Sequence, residues 1–307
     1  MNTDARRGVL YGIGAYGLWG VFPLYFHLLE RSGAVEVVVH RVLWSLLVCL
    51  AVVAATRGAR DLRTVLGRPR VVAALGLAAL LLALNWGVYV YAVNSGQVVE
   101  AALGYFVNPL VTVLLGVAVL RERLTPWQWT AVGIGGVAVL VLTVDYGRVP
   151  VIALTLALSF GLYGLFKKKV GVGVGAVTSL TTETVVLAPL AAVGLLWLES
   201  SGQGHFGDDA PWQGLLLAST GVATVVPLLF FASSARRVPL STLGLLQYLT
   251  PVLQLLCGVL LLGEHMPLSR WLGFGLVWLA LAVLTVDTLR TAARRRTATR
   301  TPDPVPA

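Results

Sequence analysis

Residues 98–135 read VVEAALGYFVNPLVTVLLGVAVLRERLTPWQWTAVGIG, and residues 240–277 read LSTLGLLQYLTPVLQLLCGVLLLGEHMPLSRWLGFGLV. At an offset of 142, Pro109 falls on Pro251, Gly116 on Gly258, Glu122 on Glu264, Trp129 on Trp271 and Gly133 on Gly275. Each copy is an apolar run with a proline near its middle. Proline lacks an amide donor and clashes with the carbonyl four residues earlier. Both helices are therefore expected to break, freeing the carbonyls of Tyr105 and Gln247, which are themselves equivalent. Asn108 and Thr250, just before the prolines, are equivalent too. Proline kinks also serve packing alone. Matched breaks with polar neighbours in both copies favour a cavity wall near the midplane of a duplicated bundle. Pro109 and Pro251 are the expected helix-break and gating positions.

The rest of the chain reads as more of the same bundle. Only 12% of its 307 residues are charged, about half the soluble-protein share of roughly 25%. Ten apolar segments can be marked, near 8–29, 35–56, 71–93, 98–120, 126–144, 149–168, 176–198, 211–232, 239–262 and 268–288. Each is long enough, at about 1.5 Å per residue, to cross a hydrocarbon core of roughly 30 Å as a helix. Helices are required because lipid offers the backbone no hydrogen-bond partner. The expected class is an all-α polytopic membrane protein with ten transmembrane helices.

Charge sets the orientation. With the N-terminus inside, 19 of the 23 Lys and Arg residues fall in cytoplasmic segments and three, Arg31, Arg148 and Arg270, fall outside. Arg41 lies within a span. This asymmetry places both termini in the cytoplasm. Five spans per half is odd, so the halves are inverted repeats. The expected organisation is a cytoplasmic N-terminus at 1–7, a first repeat at 8–145, a second at 149–288 and a basic disordered tail at 289–307. Arg6 and Arg7 precede an apolar run without a nearby cleavage site, which reads as an uncleaved first span. The net charge of +9 sits in short loop clusters, the pattern of topology rather than of nucleic-acid binding. Cys49 and Cys257 lie inside spans and set no disulfide framework.

Ionisable groups in lipid are costly, so each asks for a partner or a task. On span two, Glu36, His40 and Trp44 share a face. The planar fork of Arg41 suits a solute carboxylate; an ion pair with Glu36 or Glu100 is the equal alternative. Glu100 opens span four, where a carboxylate suits the helix N-terminus. Glu183 on span seven is the candidate for proton coupling, with pairing to Lys167 or Lys168 as the alternative. Asn85 and Tyr89 share a face of span three beside Trp86, and amides with aromatic rings can hold a solute by hydrogen bonding and stacking. Gln247, Tyr248 and Gln254 make span nine polar. Tyr16, Trp19 and Gly20 match Phe160, Tyr163 and Gly164 at an offset of 144. The candidate solute-contact residues are His40, Arg41, Trp44, Asn85, Trp86, Tyr89, Tyr105, Asn108, Tyr163, Gln247 and Tyr248. No P-loop, GxSxG, CxxC or HExxH spacing occurs, and His27, His40, His205 and His265 are scattered. No enzyme activity, cofactor or metal site is expected.

Six segments carry a family resemblance: LWGVFPLYF at 18–26, HRVLWS at 40–45, NWGVYVYAVNSGQVVEAALGYFVNPLV at 85–111, GLYGLFKKK at 161–169, TTE at 181–183 and LQYLTPVLQLL at 246–256. Together they resemble the RarD-type members of the EamA branch of the drug/metabolite transporter superfamily, over roughly residues 8–288. The resemblance implies two inverted five-helix repeats, a central cavity and residence in the bacterial plasma membrane. It also implies a permease for small organic solutes such as amino acids, metabolites or drugs, exporting by alternating access. The type name is associated with chloramphenicol sensitivity. The rival expectations are a non-transporting scaffold and a passive channel. The expected partners are a small solute, the lipid bilayer and a coupling proton; a homodimer is left open. The polar outer loop at 199–210 has no reading from the sequence.

Overall fold

A computed structural model of the chain describes residues 3–121, 124–170, 174–206, 211–235, 237 and 246–298. Among these the chain forms α1 (Thr3–Gly20), α2 (Phe22–His27), α3 (Gly33–Ala55), α4 (Ala59–Leu66), α5 (Pro69–Asn94), α6 (Val98–Leu120), α7 (Pro126–Tyr146), α8 (Val151–Val170), α9 (Ala176–Ser200), α10 (Pro211–Ala235), α11 (Leu249–Leu256) and α12 (Leu268–Ala298). A π-helical turn, Cys257–Leu261, prolongs α11. No strand forms among the described residues. Eight helical segments are long and apolar enough to span a membrane, α1 and α2 counting as one. Two more, Val151–Lys167 and Leu249–Leu261, are shorter apolar helices. They fall where the sixth and ninth spans were expected. Helix α4 was not anticipated. It turns Leu62 and Val65 inward and leaves Arg60 and Arg63 exposed.

The packing is interleaved between the halves. Helix α1 lies against α10 and α11, and its counterpart α8 lies against α5 and α6. Helix α3 packs on α9 and α10, while α9 packs on α3 and α5. Helices α6 and α11 meet, as do α7 and α12. Exchanging the two halves maps this set of contacts onto itself, as two inverted repeats require.

The expected pair of breaks comes out unevenly. Helix α6 runs unbroken through Pro109. In the ninth span the backbone turns at Tyr248, and Pro251 sits in the first turn of α11. There a missing amide costs little, because first-turn amides have no partner within the helix. A break that the sequence reading overlooked lies at Val21, between α1 and α2, just before Pro23. Pro23 leaves the Trp19 carbonyl without its helical donor. Gln254 Nε2 donates to it at 3.2 Å. Thr250 Oγ1 donates to the Tyr16 carbonyl at 2.9 Å, and Cys257 Sγ to that of Gly20 at 3.8 Å. Thr250, Gln254 and Cys257 are spaced four and three apart, so they form one helix face. That face fastens α11 to the interrupted first span.

Glycines set how closely the helices approach. A Cβ on Gly221 of α10 would lie 2.5 Å from the Trp44 carbonyl carbon of α3, whereas a Cβ on Gly17 of α1 meets nothing within 4 Å. Gly221→Ala should therefore force α3 and α10 apart, at a cost of about 1–3 kcal/mol for overpacking. Its thermal unfolding in detergent is expected several degrees below the parent, with Gly17→Ala unchanged. Equal melting of the two variants would contradict this account of the α3–α10 contact.

Candidate functional site

A central cavity of about 340 Å³ lies between α1, α3, α5, α6, α8, α10 and α11. Its wall is mainly aromatic and aliphatic. At one end Trp86 and Tyr89 of α5, Tyr105 of α6 and Phe22 of α2 surround Arg41. At the other end the wall reaches Lys167 of α8 and Phe231 of α10, near the last turns of those helices. This second end is where the chain begins, since Arg237, just after α10, bonds Asp4 in the first turn of α1 at 3.3 Å. It is called the termini end below, and the opposite one the far end.

Arg41 is 4% exposed. Its Nε donates to Thr224 Oγ1 at 2.7 Å. Its guanidinium carbon lies 4.0 Å from the Trp86 ring centroid, 5.3 Å from Phe26 and 5.7 Å from Phe22. No carboxylate pairs with it among the described residues. Both partners considered from the sequence are engaged elsewhere. Glu36 accepts from the His205 amide at 2.6 Å and lies 2.9 Å from His205 Nδ1. Glu100 accepts from Arg148 Nη2 at 2.8 Å and from the Ile152 amide at 3.1 Å.

Those two carboxylates belong to a set that ties the far end together. Asp145 of α7 binds Ser269 and, at 2.8 Å, Arg270 Nε, both on α12. Glu264 accepts from the Val98 amide and, at 2.8 Å, from the Val99 amide, capping α6. Burial pushes the Glu264 carboxyl upward from its ordinary value, against the pull of the two amides and of Arg270. Each of the four acids bridges two elements at that end. Glu122, the equivalent of Glu264 in the first repeat, lies outside the described residues.

Asn85 is a tie as much as a wall group. Its Nδ2 donates to the Leu156 carbonyl at 3.1 Å and to Ser159 Oγ at 3.0 Å. Its Oδ1 accepts from the Tyr105 hydroxyl at 3.1 Å. All its strong bonds therefore go to α8 and α6.

At the termini end Glu183 is buried behind the cavity wall. It pairs with Lys167 Nζ, accepts from Ser179 Oγ at 3.0 Å and lies 3.4 Å from the Tyr163 hydroxyl. Lys167 and Tyr163 both line the cavity. Glu183 thus reaches the cavity through them, and the side chain of Lys168 is outside the described set.

The structure brings Arg41, Asn85, Trp86, Tyr89, Tyr105, Tyr163, Gln247 and Pro251 to the cavity. It places four other nominated residues away from the wall. His40 stacks on Phe206 at 4.7 Å between ring centroids, and Trp44 Nε1 donates to His40 Nδ1 at 3.3 Å. Adjacent residues on a helix point about 100° apart, so His40 turns away when Arg41 faces inward. The loop at 199–210 folds over that face through His205 and Phe206; residues 207–210 lie outside the described set. Asn108 donates to the Ala157 carbonyl at 2.9 Å, covered by α8 where Gly161 allows close approach. Tyr248 packs with the α6–α7–α12 core, away from its neighbour Gln247. Sequence reasoning overlooked Lys167 and Gln254 as wall groups, and Thr224, Leu228 and Phe231 of α10. Those last three recur at four- and three-residue spacing, a signal hidden in a helix that is apolar all round. Tyr16, Trp19 and Phe160 were flagged by the internal repeat and do line the cavity.

A ten-span bundle of interleaved inverted halves around a central cavity defines a polytopic membrane protein built as transporters are. The profile of the EamA-like transporter family matches residues 6–144 and 148–286. The chain belongs to that family, as a RarD-type member. It is 52% identical to Protein RarD of Streptomyces exfoliatus, over 96% of this chain and 93% of that one. It is 43% identical to an uncharacterized transporter of Pseudomonas aeruginosa, over 95% and 98% of the two chains. It is 34% identical to the chloramphenicol-sensitive protein RarD of that organism, over 94% and 98%. A crystal structure at 21% identity shares the fold, with a TM-score of 0.60 over 91% of this chain and 97% of the other.

Two cavity residues should respond oppositely to truncation. Asn85→Ala removes three buried bonds and strands the Tyr105 hydroxyl, for a loss of roughly 2–4 kcal/mol and a clearly lower melting temperature. Arg41→Met removes a charge that costs about 2.5–3.5 kcal/mol in lipid, along with ring contacts worth about 2 kcal/mol. It is expected to melt no lower than the parent. A large destabilisation by Arg41→Met would mean that Arg41 is chiefly a structural group.

Proposed function

We propose that the chain is a secondary transporter that carries a small organic solute across the bacterial plasma membrane by alternating access. The observation that carries this reading is the cavity itself. Its lining runs from Arg41, beside a far end that four engaged carboxylates tie together, to Lys167 and Phe231 toward the termini end. With cytoplasmic termini, as the loop charges imply, a carrier would load its solute through the Lys167 end. Arg41, Asn85, Trp86, Tyr89, Tyr105, Tyr163 and Gln247 would contact solute, with the break at Tyr248 and Pro251 as the gate on the ninth span. Export is the expected direction. A scaffold has no use for a buried charge on a cavity wall, and saturable exchange separates a carrier from a passive channel.

Glu183 is the proposed coupling group. Its carboxylate answers Lys167, so protonating it would release a cation onto the cavity wall. Purified protein in liposomes should exchange labelled solute across the membrane by saturable counterflow, tested from a mixed pool of amino acids, small metabolites and chloramphenicol. Non-saturating flux would point to a channel, and no flux from well-folded protein to the scaffold. Glu183→Gln should keep counterflow but lose accumulation driven by a pH gradient. Unchanged pH-driven accumulation would remove the coupling role.

A further inference from the structure

Buried hydrogen-bonding groups without partners are rare in native proteins, and each one asks for an explanation. Two donors of this kind stand toward the far end of the cavity. One is the Arg41 guanidinium. Its five N–H donors make a single hydrogen bond among the described residues, from Nε to Thr224. The other is the Tyr89 hydroxyl, buried with no partner. The two lie side by side on one aromatic wall: Arg41 is 5.3 Å from the Phe26 ring, and the Phe26 and Tyr89 rings are 6.0 Å apart. The Tyr105 hydroxyl, next along, already donates to Asn85.

No Asp or Glu lines the cavity among the described residues, whereas Arg41 and Lys167 both do. The Lys167 charge is met by Glu183, which leaves Arg41 as the unbalanced one. The wall's buried unpartnered acceptor is Gln254 Oε1, a single neutral oxygen. Its amide cannot be turned round, because the Trp19 carbonyl it meets can only accept. Toward its far end the cavity therefore holds spare donors and one spare positive charge, while its wall offers as spare acceptors only the neutral amide oxygens of Gln247 and Gln254 among the described residues.

We infer that the solute is an organic monoanion: an apolar or aromatic body carrying one carboxylate, seated with its two oxygens on Arg41 and Tyr89. This rests on the cavity being the transport site proposed above and names the class of solute it takes. A carboxylate brings two acceptor oxygens and the missing charge, and the guanidinium fork matches it. The rings around Arg41 exclude water, which strengthens the pair, and the remaining wall suits the apolar body. Gln254 Oε1 can take a hydroxyl or amide N–H on that body. A free amino acid fits less well. Its ammonium adds three donors and a charge to a wall with no carboxylate to receive them. The cavity thus selects against zwitterions and cations.

The test is equilibrium binding to the purified full chain in detergent, read by tryptophan fluorescence and by thermal stabilisation. The probes are benzoate, phenylacetate and 3-phenylpropionate, each beside its neutral amide, with phenylalanine as the zwitterion and 2-phenylethylamine as the cation. At least one acid should bind roughly tenfold or more tightly than its amide and than phenylalanine, as expected for a charge-assisted bond. Arg41→Gln should lower acid binding to near the level of the amide and change amide binding far less. Tyr89→Phe should weaken the acid several-fold. The inference is overturned if an amide, phenylalanine or the amine binds as tightly as the acids. It is overturned equally if no acid binds to folded protein, or if folded Arg41→Gln binds the acids like the parent. Acid binding without counterflow would keep the anion site and remove the carrier. Saturable counterflow of a neutral or zwitterionic solute, with no acid binding, would keep the carrier and remove the anion.

Discussion

A peptide carbonyl inside a membrane must find a donor in the protein, because the lipid has none. Pro23 takes the helical donor away from Trp19, and the side chain of Gln254 replaces it from across the bundle. Thr250 and Cys257 repeat the contact one turn to either side. Much of the architecture follows from this need. The first span is held by a helix of the second half, so the two halves cannot bury their cores separately. The ninth span is fixed by its polar face. The cavity lies where these two spans meet.

The electrostatics divide the bundle by level. Near the far end Glu36, Glu100, Asp145 and Glu264 each have a partner: His205, Arg148, Arg270 or the first amides of α6. One layer deeper, Arg41 has rings and a hydroxyl but no anion among the described residues. An unpaired buried charge is a standing cost to stability. Its retention on a cavity wall, beside an unpartnered Tyr89 hydroxyl, is the kind of local inconsistency that marks a site of function rather than of folding.

Much of this was legible in the residues. Apolar run length and the internal repeat announce spanning helices in two related halves. The matched aromatic pairs Tyr16–Trp19 and Phe160–Tyr163 all line the one cavity. The asymmetry between the two prolines was not legible. Pro109 and Pro251 occupy equivalent positions, yet only the second stands at the start of a helix. The outcome depends on how the surrounding helices hold each span, and neighbours are not written locally. Pro23, which does interrupt its span, has no partner in the repeat to draw attention to it.

The sequence by itself determined which segments are apolar enough to enter the lipid and how many there are, because burial in hydrocarbon acts on each segment separately. It also named Arg41, whose cost in lipid is large wherever it points. Only the tertiary structure decided who partners whom. It sent Glu36 to His205 and Glu100 to Arg148, it turned His40 to Phe206, and it left Arg41 facing open space. Pairing depends on distances between residues up to 237 positions apart in the chain. Such distances are set by how the helices cross and by which glycines let them approach.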